Sequence, residues 1–275
     1  MKQFFSTLKE LILEKKFIIL ILGGVLGLLS FFIIWILEDL DLQVIEAVIG
    51  SFPPELLEFF GGIAVLGSPY GFWALELLAF IWIYCGIYIV FMASSLLSHE
   101  VENKTIDLSL SKPISRFTFL GSKITFLYVF IMIATGIFFL ITLGSMAGSS
   151  KFQAEGLYFD RLSATYFSVV LFLGALAIVA KFFSTIFLST KKSVAVGVMV
   201  IFIMFFIGEF YIYMDEAIQD IKYISIFYYF NPVDYLVNEN FPLTLFIRDI
   251  YVLGMINVAL IVGSLFIFDS KDIPN

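Results

Sequence analysis

The stretch that decides the fold class is FIILILGGVLGLLSFFIIWIL, residues 17–37, which carries no charged side chain. A helix needs about 20 apolar residues to cross the roughly 30 Å hydrocarbon layer of a bilayer. Backbone amides in lipid must be satisfied within their own segment, so this stretch predicts a transmembrane α-helix. Within it, Gly23 and Gly27 have the spacing that permits close packing against a neighbouring helix.

The rest of the chain repeats this pattern. Of its 275 residues, 61% are hydrophobic and only 14% are charged, which is too apolar for a soluble domain of this size. The sequence therefore predicts an all-α polytopic membrane protein with a single transmembrane domain, 1–275. Five further apolar stretches predict spans two to six, at 72–97, 124–147, 166–188, 194–214 and 250–268.

Lysine and arginine are distributed unevenly between the two sides of this layout. Eleven of the 16 lie in segments 1–16, 98–123, 189–193 and 269–275, four lie in the opposite segments, and the last is Lys181, inside a span. Cytoplasmic loops carry an excess of these residues. We therefore expect a multi-pass plasma-membrane protein with both termini in the cytoplasm.

Three segments outside the spans have amphipathic character. Residues 1–16 predict an interfacial amphipathic helix that precedes the first span. Segments 38–71 and 215–249 predict outer loops with apolar faces that lie on the membrane surface. Lys181 lies near the cytoplasmic third of its span, and we expect its ammonium to reach the membrane surface, since a lysine at mid-membrane is costly. The alternative for Lys181 is a substrate site within the span.

The longest cytoplasmic loop contains HEVENKTIDLSLSKPISR, residues 99–116. Pro113 predicts a break between two helical pieces, because the residue before proline avoids the helical region. Arg116 and Lys123 follow where the chain re-enters the membrane. Such a compact helix-break-helix suits docking of a soluble partner, and the alternative is a charged loop that only fixes the topology.

This loop resembles the loop between spans two and three of type-2 ABC exporter permeases. That family has an acidic cluster, a Thr, an apolar run and Ser-x-Pro-x-Ser-Arg, with a Lys before the third span. Lys104 departs from the pattern, since a Gly usually precedes the Thr. Phe230-Asn231-Pro232 is similar to the family's late outer-loop motif. The residues of the loop that match are Glu100, Glu102, Thr105, Ile106, Asp107, Leu108, Leu110, Ser111, Pro113, Ser115, Arg116 and Lys123.

The resemblance implies the membrane-spanning permease subunit of an ATP-driven exporter. Two such subunits would pair, as a homodimer or a heterodimer, and a cytoplasmic ABC-type ATPase would dock on segment 98–123 of each. The ATPase would bind ATP and magnesium. The residues that the resemblance assigns to this ATPase-coupling loop are Glu100, Glu102, Thr105, Asp107, Pro113, Ser115, Arg116 and Lys123.

The sequence itself argues against chemistry within this chain. No Walker A pattern, G-x-x-x-x-G-K-[ST], occurs, so we expect no ATPase site and no cofactor. One His and one Cys, His99 and Cys85, make a metal site improbable. We expect membrane lipids around the protein and no nucleic-acid partner. The alternatives are a secondary transporter or channel that is not coupled to ATP, a membrane-embedded enzyme and an anchoring scaffold.

Overall fold

The computed structural model of the chain describes residues 2–41, 44, 50, 65, 67–106 and 115–271. All regular structure in these residues is helical. Short 3-10 turns at Tyr211–Tyr213, Glu216–Ile224 and Phe227–Tyr229 join the sixth helix to the seventh. The helices are α1 (Lys2–Asp39), α2 (Pro69–Glu102), α3 (Arg116–Gly148), α4 (Ser150–Glu155), α5 (Phe159–Phe187), α6 (Thr190–Phe210), α7 (Pro232–Val237) and α8 (Leu243–Ser270).

Six of these helices, α1, α2, α3, α5, α6 and α8, are long and apolar enough to cross a membrane. Each coincides with one of the predicted apolar stretches, so the all-α, six-span prediction is confirmed. That both chain ends lie on the same side of the membrane, and that this side is cytoplasmic, stays a prediction.

The first helix differs from the prediction of a separate interfacial helix over 1–16. α1 runs without a break for 38 residues. Residues 8–22 contain no proline, no glycine and no residue that usually caps a helix, so nothing ends the helix near Lys16. Leu8, Leu11 and Ile12 pack against the hydrophobic core of the protein itself. The amphipathic start of the chain is therefore continuous with the first span, and its position at the membrane interface stays a prediction.

The outer segments are described in part. Most of 38–71 lies outside the described residues, and so does most of the apolar face predicted there. In 215–249, the 3-10 turn Glu216–Ile224 leaves apolar side chains such as Ile218 and Ile224 exposed. The last helix begins at Leu243, seven residues before the apolar stretch predicted at 250–268. The helix starts directly after Pro242, so the proline and not the onset of apolar residues determines where it begins.

The interior of the bundle is organised around α5, which is the most enclosed span and packs against α2, α3, α6 and α8. α1 pairs with α3 through its two spaced glycines. A Cβ atom on Gly23 would lie 2.5 Å from the carbonyl oxygen of Ala134, and one on Gly27 would lie 2.5 Å from the Ile141 side chain. The glycine spacing therefore serves packing within the chain.

A buried chain of hydrogen bonds ties the first three spans together. Ser30 on α1 accepts from the indole nitrogen of Trp73 on α2 and from the hydroxyl of Thr142 on α3, at 2.8 Å each. Polar side chains with such partners can be buried without a large desolvation cost. The cluster fixes the register of α1, α2 and α3.

Candidate functional site

The candidate site lies where α2 ends and α3 begins, at the two ends of segment 98–123. The structure describes 98–106 and 115–123 of this segment. The predicted coupling residues Asp107 and Pro113 lie outside the described residues. The six others can be placed.

A buried ion pair joins the two ends of the segment. Lys123 on α3 bonds through its ammonium to Glu100 Oε1 and to the carbonyl oxygen of Leu96, both on α2. The Lys123 side chain is 1% exposed and that of Glu100 is 30% exposed. The Lys123 ammonium also lies 4.7 Å from the centre of the Phe119 ring. Removing the Glu100 carboxylate would leave the buried Lys123 ammonium without a counter-charge, which is destabilising.

α2 ends in a Schellman motif. The Thr105 amide donates to the Glu100 carbonyl at 2.9 Å, and the Lys104 amide donates to the Val101 carbonyl at 3.1 Å. This pair of bonds requires a left-handed residue one position after the cap, and glycine usually fills that position. Lys104 occupies it, with φ of 56°. The geometry explains why the resembling family prefers glycine before the Thr.

Glu102, the last residue of α2, caps a different span. Its Oε1 accepts from the Thr190 amide at 2.9 Å and from the Ser189 hydroxyl at 3.1 Å. Thr190 is the first residue of α6. A helix start exposes unpaired amides and partial positive charge, so a carboxylate there is stabilising.

The start of α3 is fixed by Ser115 and Arg116. The Ser115 hydroxyl caps the helix by accepting from the Thr118 amide at 3.2 Å. Arg116 donates to the carbonyl oxygens of Asp269 at 3.0 Å and Lys271 at 2.6 Å. These carbonyls stand at the end of α8, where helical partners run out and cations are favourable.

Three charged residues in the described part of the segment therefore bind the chain itself. Glu100 reaches α3, Glu102 reaches α6 and Arg116 reaches α8. Any displacement of the segment acts directly on these three spans. Their role in coupling to an ATPase stays a prediction.

The structure corrects the prediction for Lys181. Its side chain is fully buried, and its ammonium has no hydrogen-bond partner among the described residues, so it does not reach the surface. Ser184, one turn further along α5, bonds to the Ser98 hydroxyl at 2.7 Å and donates to the Ser94 carbonyl at 2.8 Å. Lys181, Ser184 and Thr185 have the i, i+3, i+4 spacing that places side chains on one face of a helix. This spacing is a sequence signal that could have indicated a buried polar site.

At the opposite end of the bundle, the predicted outer motif makes one clear contact. Asn231 donates to Asp249 Oδ2 at 2.8 Å, and the Tyr235 hydroxyl donates to the same oxygen at 2.7 Å. Arg248 donates from Nε to Asp249 Oδ1 at 2.8 Å. Asp249 is fully buried, and these bonds fasten the outer segment to the start of α8.

Comparison with known protein families gives one match, to a family described as ABC-2 family transporter protein, over residues 8–272. The chain belongs to the ABC-2 transporter family. No curated protein and no solved structure matches it. The family assignment confirms the resemblance seen in segment 98–123. ABC-2 membrane domains have no ATPase site of their own, and in the described parts of this chain no three His, Cys, Asp or Glu side chains are grouped to hold a metal ion.

Proposed function

We propose that this ABC-2 family protein is the membrane-spanning permease subunit of an ATP-driven exporter. A separate cytoplasmic ATPase docks on segment 98–123, and a second permease subunit completes the transporter in the plasma membrane. Both termini and segment 98–123 face the cytoplasm, in accordance with the distribution of Lys and Arg.

One observation supports this proposal most strongly. Segment 98–123 includes the end of α2 and the start of α3. Its residues Glu100, Glu102 and Arg116 bond to α3, α6 and α8, respectively. A loop that only connected two spans would not need bonds to two others. A loop that receives a push from a soluble partner needs them, because the push must reach several spans together.

The secondary transporter or channel is the second candidate, and Lys181 favours it. An ionisable residue buried in a span marks an ion or substrate path in many transporters. Such a protein would move its substrate on an ion gradient alone. The ATP-driven exporter needs the ATPase and hydrolysable ATP.

The test uses the tagged chain purified from its native membrane with mild detergent. We expect a cytoplasmic ATPase to co-purify, and the complex in liposomes to hydrolyse ATP. Exchange of Arg116 for Gln should reduce co-purification and hydrolysis, since the segment then loses its bonds to the end of α8.

Arg161→Gln is the matched control. Arg161 also donates to backbone carbonyls, those of Leu236, Asn238 and Glu239, but at the opposite end of the bundle. We expect this variant to keep the ATPase bound. Equal losses in both variants would show a general loss of stability, and absence of any ATPase from the wild-type preparation would refute the proposal.

A further inference from the structure

The starting observation is a buried charge that has no partner. Lys181 on α5 is fully buried, and its Nζ makes no hydrogen bond within the described residues. Holding an uncompensated ammonium away from water is strongly unfavourable. A structure that keeps such a group requires either another state in which it is paired or a nearby group that offsets it.

A complementary unpaired group lies in the same region. Glu100 Oε1 bonds to Lys123, but Glu100 Oε2 is buried and has no partner in the described part of the chain. Lys181 belongs to this region because Ser184, one helical turn further along α5, bonds at 2.7 Å to Ser98, which lies two residues before Glu100 on α2. This region therefore holds two lysines and one carboxylate. Lys123 is bonded to Glu100, whereas the Lys181 ammonium has no partner among the described residues.

The surroundings are polar enough for a change of partner. Ser98 and Ser184 bond to each other between α2 and α5, and the buried Ser94 hydroxyl has no partner among the residues that the structure describes. Ser184 is one helical turn from Lys181. A lysine side chain moving in this region therefore meets hydroxyl groups.

We propose that Glu100 exchanges its partner, from Lys123 on α3 to Lys181 on α5, when the ATPase displaces segment 98–123. Lys181 is then a positioning residue, which holds the end of α2 in the second state. Lys123 also bonds to the Leu96 carbonyl oxygen, so it keeps a partner when Glu100 turns to Lys181, and the exchange creates no second unpaired ammonium. Elements with two states of similar energy are those that a partner can switch.

This inference rests on the proposed function, because the ATPase supplies the displacement. The decisive variant is Lys181→Met, measured in the permease–ATPase complex. Removing an unpaired buried ammonium should leave the thermal midpoint of the isolated chain unchanged or raise it. ATP-driven turnover should nevertheless fall by roughly 5- to 150-fold, the range that coupling between two sites usually spans.

Three companion variants make the result specific. Lys181→Arg keeps the charge and should retain most of the turnover. Glu100→Gln should lower turnover, and adding Lys181→Met to it should lower it little further, since both act through one pair. Ser168→Ala removes another buried polar side chain from α5, in the half of the span away from Lys181, and should leave turnover unchanged.

The outcomes separate the inference from the proposed function. If Lys181→Met keeps full ATP-driven turnover while Arg116→Gln uncouples the complex, the exchange is wrong and the proposed function stands. If Lys181→Met lowers stability and turnover together and Lys181→Arg does not rescue them, the role is structural and the inference is overturned. A wild-type chain with no ATPase partner would overturn both.

Discussion

Replacing Lys104 by glycine should stabilise the protein, because the structure holds this lysine at φ of 56°. A residue with a Cβ atom costs roughly 1–2 kcal/mol in the left-handed region. Glycine avoids that cost but loses more backbone entropy on folding, roughly 0.5–1 kcal/mol relative to alanine. The net gain expected for Lys104→Gly is therefore about 0.5–1 kcal/mol.

The assay is the thermal unfolding midpoint of the detergent-purified chain, compared at one scan rate. For domains of about 150–250 residues, 1 kcal/mol shifts the midpoint by about 2–4 °C, so we expect a rise of about 1–4 °C. Lys104→Ala is the control, since it removes the same charged side chain but keeps the Cβ atom and the strain.

The comparison between the two variants decides the argument. A higher thermal midpoint for Lys104→Gly than for both Lys104→Ala and the wild type indicates a conformational effect at the end of α2. If glycine and alanine give the same midpoint, the lysine side chain matters rather than its backbone, and the Schellman explanation for the family's glycine is refuted.

Three further predictions test the topology, the helix packing and the capping of α6. A cysteine at Gln153 should react with an impermeant thiol reagent in intact cells and one at Asn103 only after the membrane is opened; external labelling at Asn103 would reverse the orientation. Gly23→Ala should lower the free energy of unfolding by about 1–3 kcal/mol, and with it the thermal midpoint, because the added Cβ atom would collide with a backbone oxygen of α3. Gly24→Ala should leave the midpoint unchanged, since its added Cβ atom would have no described atom within 4 Å. Glu102→Ala removes the acceptor and should cost about 0.5–2 kcal/mol, the usual value of a helix cap, and unchanged stability would show that the bond to the first turn of α6 is not significant.

Hydropathy and charge were sufficient to predict the six spans, because lipid imposes one requirement on every segment of the chain. The start of α8 at Leu243 and the unbroken α1 were not predicted, since helix ends depend on caps and prolines rather than on apolarity. The segment 98–123 was recognised by its residue pattern. The bonds from Glu102 to α6 and from Arg116 to α8 join residues far apart in sequence, and no local pattern shows them.

Lys181 shows why single residues in spans are hard to predict. The expectation that it reaches the surface followed from the cost of a mid-membrane charge and from its distance to the span end. Its burial depends on which helices surround α5, and that arrangement is set by contacts among all six spans. The orphaned oxygen of Glu100 could not be predicted for the same reason.

The pairing of α1 with α3 has a consequence for biosynthesis. The glycine face of α1 docks on α3, not on α2, so the first span has no complete partner when it leaves the ribosome. Roughly 100 residues must still be made before α3 is finished, which takes about 5–20 s at usual elongation rates. During that interval α1 must wait in the lipid or beside the insertion machinery, and the chain acquires its first stable helix pair only when the third span arrives.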